Sequence, residues 1–166
     1  MEITYKADNI ITASEPLIIH GCNCQGVMGS GVALAVKNRF PKAYTEYVKL
    51  HSEEGLSLGF MQFVNCFDKL GSKWIGNAFT QENYGRSPNT QYCDYKAIRN
   101  CLETVREFLF SQDHNSFAMP KIGCGLGGGD WNIVLKIIEE VFESTNLTIS
   151  IYDNQKIATQ SNRNTI

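Results

Sequence analysis

The sequence predicts an α/β fold: a three-layer α/β/α sandwich around a central mixed, largely parallel sheet. Two observations lead there. Short apolar runs rich in β-branched and aromatic residues alternate along the chain with longer segments whose apolar residues recur at helical spacing. Two of the strand-to-helix junctions carry glycine clusters, "HGCNCQGVMGSGVA" and "GCGLGGGDW". Such clusters suit the carboxyl-end crevice of an open α/β sheet, where ligands bind.

Each element has its own signal. "MEITY" is short and alternates, as an opening strand does, and "EPLIIHGCN" places an apolar run before a polar, glycine-containing turn. From Gly31 the spacing turns helical, with Val32, Ala35 and Val36 on one face and Phe40 closing it before Pro41. Pro41 suits the first turn of a second helix, "PKAYTEYVKLHSEEG", which Gly55 ends. "GFMQFVNC" and "KWIGNAF" read as strands. "YKAIRNCLETVREFLF" sets Ile98, Leu102, Val105 and Leu109 on one stripe and reads as an amphipathic helix. "SFAMP" is a strand leading into the second glycine loop. The helix after that loop turns Ile133, Ile137, Val141 and Val134, Ile138, Phe142 inward, and "LTISIY" is the last strand. Residues 1–153 read as a single domain and residues 154–166 as a polar C-terminal tail.

Composition narrows the function. A chain of 166 residues, 43% hydrophobic and 19% charged, buries a core without disulfide staples and reads as soluble globular material. Its apolar runs fall far short of a membrane span, and Glu2, Lys6 and Asp8 interrupt the only stretch that could open a secretory signal. The reading is therefore cytoplasmic, with Cys22, Cys24, Cys66, Cys93, Cys101 and Cys124 as reduced thiols. Cys22-x-Cys24 has the wrong spacing for a zinc knuckle, and His20, His51 and His114 are scattered, so no metal site is expected. A net charge of −2 without a long Lys/Arg block gives no support to general nucleic-acid binding.

Gly123, Gly125 and Gly128 spell the dinucleotide fingerprint G-x-G-x-x-G. That fingerprint belongs after the first strand and needs further βαβ units, whereas roughly forty residues remain here, enough for one helix, one strand and a tail. A P-loop fails because no glycine stretch ends in G-K-[ST]. Two glycine loops in equivalent places point instead to a phosphate-containing ligand held by backbone N–H groups.

These segments resemble the macrodomains, which bind ADP-ribose and its derivatives. "YKADNI" matches the early strand and adenine loop, "HGCNCQGVMGSGVALAVKNRFPKA" the first ligand loop and helix, "NAFTQENYG" the middle strand, "MPKIGCGLGGGDW" the second loop and "ISIY" the last strand. "IIHGCNCQG", "FTQ" and "MPKIGCGL" are similar to the branch holding ADP-ribose-1''-phosphate phosphatases and terminal ADP-ribose glycohydrolases.

The resemblance implies a site. Asn9 stands where the family usually has the aspartate that receives the adenine amino group, with Ile10 beside it, and Tyr152 matches the aromatic residue packed on adenine. Gly29, Ser30, Gly31 and Val32 would lie along the phosphates and distal ribose, faced by Ile122, Gly123, Cys124, Gly125, Leu126 and Gly127. His20 and Asn23 are the catalytic candidates: the imidazole as general acid or nucleophile at a terminal phosphate, the amide holding the distal ribose. The glycohydrolases use a lysine after the strand threonine and an aspartate after "GCGL"; here those positions are Gln81 and Gly127, and an amide cannot form the amine's covalent sugar adduct. Asp130 reads as an N-cap of the following helix. The expected activity is a metal-independent ADP-ribose-1''-phosphate phosphatase without cofactor, acting as a monomer on small-molecule ADP-ribose derivatives. The alternatives are an ADP-ribosyl hydrolase acting on modified protein or nucleic acid, and a non-catalytic reader that binds ADP-ribose or ADP-ribosylated protein.

Overall fold

A computed structural model describes residues 1–69 and 71–153, so the tail expected over 154–166 lies outside the described residues. The elements run β1 (Glu2–Lys6), β2 (Leu17–Asn23), α1 (Gly31–Arg39), α2 (Pro41–Glu53), β3 (Met61–Asp68), β4 (Gly71–Gln81), α3 (Tyr95–Ser111), β5 (Ser116–Pro120), α4 (Trp131–Phe142) and β6 (Thr148–Tyr152), with a 3-10 turn at Ile10–Thr12. The strands form one sheet in the order β1-β6-β5-β2-β4-β3. Every pairing is parallel except β3 with β4, an antiparallel hairpin at one edge.

The α/β sandwich read from the sequence is the fold observed. β2 shows why "LII" is an unbroken apolar run rather than an alternating one. Leu17 and Ile19 face the cluster built with α3 and α4, and Ile18 faces the cluster holding Val36, Phe40 and Ala43 from the other helical layer. A parallel strand covered on both faces has no polar side to present. Pro41 stands at the start of α2, as its fixed φ and missing N–H allow. Asp94 caps α3 by accepting from Ala97 N at 2.8 Å, and Asp130 caps α4 by accepting from Asn132 N at 2.8 Å. Phe108 of α3 stacks on Phe63 with ring centroids 3.9 Å apart and meets the Trp74 edge at 5.2 Å, which seats the helix on the hairpin.

Two features depart from the sequence reading. Ile133, expected inward, is 43% exposed, because it lies in the groove between α3 and α4 rather than beneath them. The 3-10 turn at Ile10–Thr12 has too few residues to show a period, and Asn9 caps it by accepting from Ile11 N at 3.3 Å. Among the described residues no helix is long and apolar enough to cross a membrane.

One consequence of the topology positions the site. β6, β5, β2 and β4 are parallel neighbours, so their carboxyl ends lie side by side along one edge of the sheet. Tyr152, Pro120, Asn23 and Gln81 end these strands in that spatial order.

Candidate active site

A cleft of about 820 Å³ opens over this edge, within the ~300–1,000 Å³ range of small-molecule sites. Three chain segments wall it: the loop after β2 with the start of α1, the loop after β5, and the end of β4 with the loop that follows.

The first wall is organised by Asn23. Its side-chain oxygen accepts from Gln25 N at 2.9 Å and Val27 N at 3.4 Å, while its nitrogen donates to Val27 O at 2.7 Å. The buried Tyr47 hydroxyl reaches in from α2, 2.7 Å from Asn23 O and 2.9 Å from its Oδ1. This knot folds the loop so that Gly29, Ser30, Gly31 and Val32 line the cleft at the start of α1. Ser30 occupies the N-cap without a capping hydrogen bond from its side chain, so the first-turn amides of α1 lack that acceptor. A phosphate there would take it.

The second wall closes on itself. Gly129 N donates to Gly123 O at 2.8 Å and Gly128 N to Gly125 O at 3.2 Å, while Gly127 O accepts from Tyr92 N at 2.8 Å and Cys93 N at 3.0 Å. Gly127 has no alternative at its position: a Cβ there would sit 2.6 Å from Gly123 O. The absent acid after "GCGL" is thus a matter of backbone packing, since no side chain fits while the loop keeps this shape.

The third wall carries Thr80, Gln81, Tyr84, Gly85 and Arg86. Gln81 donates its side-chain amide to Asn83 O at 2.8 Å. Thr80 Oγ1 is the one buried side-chain N or O atom, among the described residues, without a hydrogen-bond partner. It lies behind the bare Cα of Gly21 on the cleft floor, where a Cβ would approach it to 2.9 Å.

Of the residues expected to touch ligand, Asn23, Gly29, Ser30, Gly31, Val32, Ile122, Gly123, Gly125, Leu126 and Gly127 line this one cleft. The others lie elsewhere. Asn9 is exposed with its side-chain oxygen on the 3-10 turn, and Ile10 is buried below it. Tyr152 packs into the core beside Ile18 and Ala118 and hydrogen-bonds to Glu15 Oε2 at 2.9 Å. Cys124 does not line the cleft, and its thiol bonds to Ile122 O at 3.4 Å.

His20 requires a correction. It is fully buried and absent from the cleft lining. Asn77 Nδ2 donates to Ala43 O at 3.2 Å and Gln62 Oε1 at 3.0 Å, so its oxygen accepts from His20 Nε2–H at 2.6 Å. Strand alternation explains the placement: Gly21 faces the cleft floor, and its neighbour His20 points through the opposite face toward α2. Burial pushes the imidazole pKa down to about 4, against the Asn77 oxygen that favours its charged form. An imidazole locked there holds no proton for a substrate in the cleft.

What remains in the cleft decides its chemistry. Among the described residues, no Asp, Glu or His lines it. Burial holds the Cys22 thiol well above its ordinary range, so no thiolate is on offer. Lys121 and Arg86 are its cations among the described residues, and Lys121 Nζ is paired with Asp153 Oδ2 at 2.9 Å. The described residues bring together no cluster of three His, Cys, Asp or Glu side chains that could hold a metal. Arg86, Tyr84 and Lys121 went unassigned in the sequence, because isolated side chains on irregular loops carry no periodic signal.

A family model for the Macro domain matches residues 19–138. The chain is 30% identical over 141 residues to the DNA ADP-ribosyl glycohydrolase of Mycobacterium tuberculosis; the match covers 85% of this chain but 39% of that relative, well under half its length. It is 27% identical over 162 residues to the ADP-ribose 1''-phosphate phosphatase of Aspergillus clavatus, covering 74% of this chain and 81% of the relative. Among solved structures it is similar to the macrodomain of Mycobacterium tuberculosis DarG, with a TM-score of 0.79 and 29% identity over 90% of this chain and 96% of that one. The two glycine loops at neighbouring strand ends and the family match over most of the chain agree: this chain belongs to the macrodomain family, whose members bind or hydrolyse ADP-ribose derivatives.

Proposed function

We propose that the cleft binds ADP-ribose 1''-phosphate and releases inorganic phosphate and ADP-ribose. One observation carries this reading: among the described residues the lining offers backbone amides and two cations, and no carboxylate or free amine. Cleavage at the sugar carbon asks for an acid and a nucleophile there, which Gln81 and Gly127 do not supply. Phosphoryl transfer asks chiefly for positioning and for donors around the phosphoryl oxygens, which glycine loops provide. The Aspergillus clavatus relative, named as a phosphatase for this substrate, supports the same choice.

The step balances as follows. A water oxygen forms a new bond to phosphorus, the phosphorus bond to the C1'' oxygen breaks, and the proton lost by water passes through solvent to the departing ribosyl oxygen. Amides of Gly29–Val32 and Ile122–Gly127 hold the diphosphate and phosphoryl charge. Asn23, with one side-chain N–H left beyond its bond to Val27 O, positions the distal ribose.

Incubation with ADP-ribose 1''-phosphate in ¹⁸O-labelled water tests the reading. The expected result is phosphate release with the label in phosphate. Phosphate released without the label, or no release at micromolar enzyme, overturns it. A second reading has support from the Mycobacterium tuberculosis relative named for DNA: release of ADP-ribose from modified DNA, with the phosphate assay silent, would put a glycohydrolase first. Tight ADP-ribose binding with no turnover of either substrate would make the protein a reader.

A further inference from the structure

We infer that Arg86 is the specificity-determining residue for the terminal phosphate, closing the distal end of the cleft over the phosphoryl group at C1''. This rests on the reading above and adds to it the side chain that separates ADP-ribose 1''-phosphate from ADP-ribose.

The macrodomain resemblance, which sets adenine beside Tyr152 at the end of β6, implies which end of the cleft is distal. On that placement, and with the strand ends in the order β6, β5, β2, β4, the diphosphate would cross β5 and β2, beside Ile122 and Asn23, and the distal ribose would reach β4. Thr80 marks that end independently. Thr80 is 1% exposed, and its hydroxyl is unpartnered and set at the floor behind Gly21, where a ligand's polar end could relieve it. Arg86 lines the wall five residues beyond Gln81, past β4.

Its guanidinium is the cation left for ligand among the described residues. Lys121 is committed to Asp153, whereas Arg86 has no hydrogen bond or ion pair among the described residues. The loop around it is nonetheless held. Gln81 bridges Cys93, Thr90 N donates to Ser87 O at 3.2 Å, Ser87 N donates to the Tyr92 hydroxyl at 3.3 Å, and Tyr92 N is tied to Gly127 O of the facing wall. The loop bearing Arg86 is thus anchored to the glycine loop that would hold the diphosphate. A planar guanidinium donating two parallel bonds suits a terminal phosphate monoester, whose non-bridging oxygens share up to two negative charges, a group ADP-ribose lacks at C1''.

Titration calorimetry and steady-state kinetics on Arg86→Gln test the assignment. The wild type should bind ADP-ribose 1''-phosphate more tightly than ADP-ribose. In Arg86→Gln that preference should vanish, with KM for the phosphorylated substrate up by about tenfold or more and ADP-ribose affinity changed by less than about threefold. Arg86→Lys should restore part of the preference as a point charge. Equal loss for both ligands would place Arg86 on the diphosphate and overturn the assignment, as would no change for either. Calorimetry keeps two failures apart: an Arg86-dependent preference in a protein that releases no phosphate upholds the clamp while the phosphatase reading falls. The neighbouring Tyr84 ring, 56% exposed on the same wall, supplies the contrary arm. Tighter binding of an ADP-ribosylated single-stranded oligonucleotide, lost in Tyr84→Ala and with Arg86→Gln indifferent to the 1''-phosphate, would overturn the assignment in favour of a nucleic-acid subsite.

Discussion

Replacing Gly127 by alanine is expected to weaken ADP-ribose binding by one to two orders of magnitude, on the order of 1–3 kcal/mol. The added Cβ would stand 2.6 Å from Gly123 O, and backbone cannot yield there as a flexible side chain could. To make room, the loop must give up the Gly129–Gly123 bond or the bonds that Gly127 O receives from Tyr92 and Cys93. Either shift moves the amides proposed to hold the diphosphate. Gly127→Asp should fail in the same way, gaining no glycohydrolase activity, because the carboxylate arrives with the same collision. Gly125→Ala, whose methyl meets nothing within 4 Å, should leave the melting temperature unchanged within ~2 °C. Calorimetry with ADP-ribose and thermal unfolding of the three variants read these effects directly. Full-strength binding by Gly127→Ala would show that the loop does not hold the ligand.

Replacing His20 by alanine is expected to lower stability by about 3 kcal/mol, or roughly 6–12 °C in melting temperature, while kcat of the folded protein stays within about threefold. The imidazole is fully buried, and its loss leaves a cavity and an Asn77 oxygen without its donor. The same burial predicts a pH dependence. The folded pKa of about 4 lies below the ordinary 6.5, so the unfolded chain binds the extra proton first. Stability is therefore complete above pH 6.5 and falls as pH drops toward 4, by up to about 3 kcal/mol. Glu15 adds a second loss at lower pH. Burial opposes its ionisation, yet hydrogen bonds from Lys6, Ser150 and Tyr152 hold its pKa down to about 2, so its contribution disappears between 4.5 and 2. Chemical denaturation between pH 7 and 4 should show the His20 component vanish in a variant that folds, such as His20→Gln. A kcat reduced a hundredfold or more in folded His20→Ala would return the residue to catalysis.

The sheet and its helices were legible because burial leaves a period. Val105 and Leu109 recur on α3 at the spacing of one helical face, and "LII" has the unbroken character of a strand covered on both sides. The glycine loops were legible for another reason: a cluster such as Gly123–Gly129 marks a tight turn in which some glycines, Gly127 and Gly128 here, pack on backbone. His20 misled because a strand-end histidine is read from its place in the chain, and one residue of register decides which face it takes. Gly21 beside it took the cleft side. Arg86 was invisible for the opposite reason, since its loop follows no period and its position depends on hydrogen bonds between Tyr92 and Gly127, residues far apart in sequence.

The account turns on where ADP-ribose lies, and a crystal structure of the complex measures it. The expected density has the diphosphate between Gly29–Val32 and Ile122–Gly127, with C1'' at the end of β4 near Thr80 and Gln81 and its outward oxygen toward Arg86. A ligand in the reverse direction, with adenine over β4, or one bound outside the cleft, would contradict it.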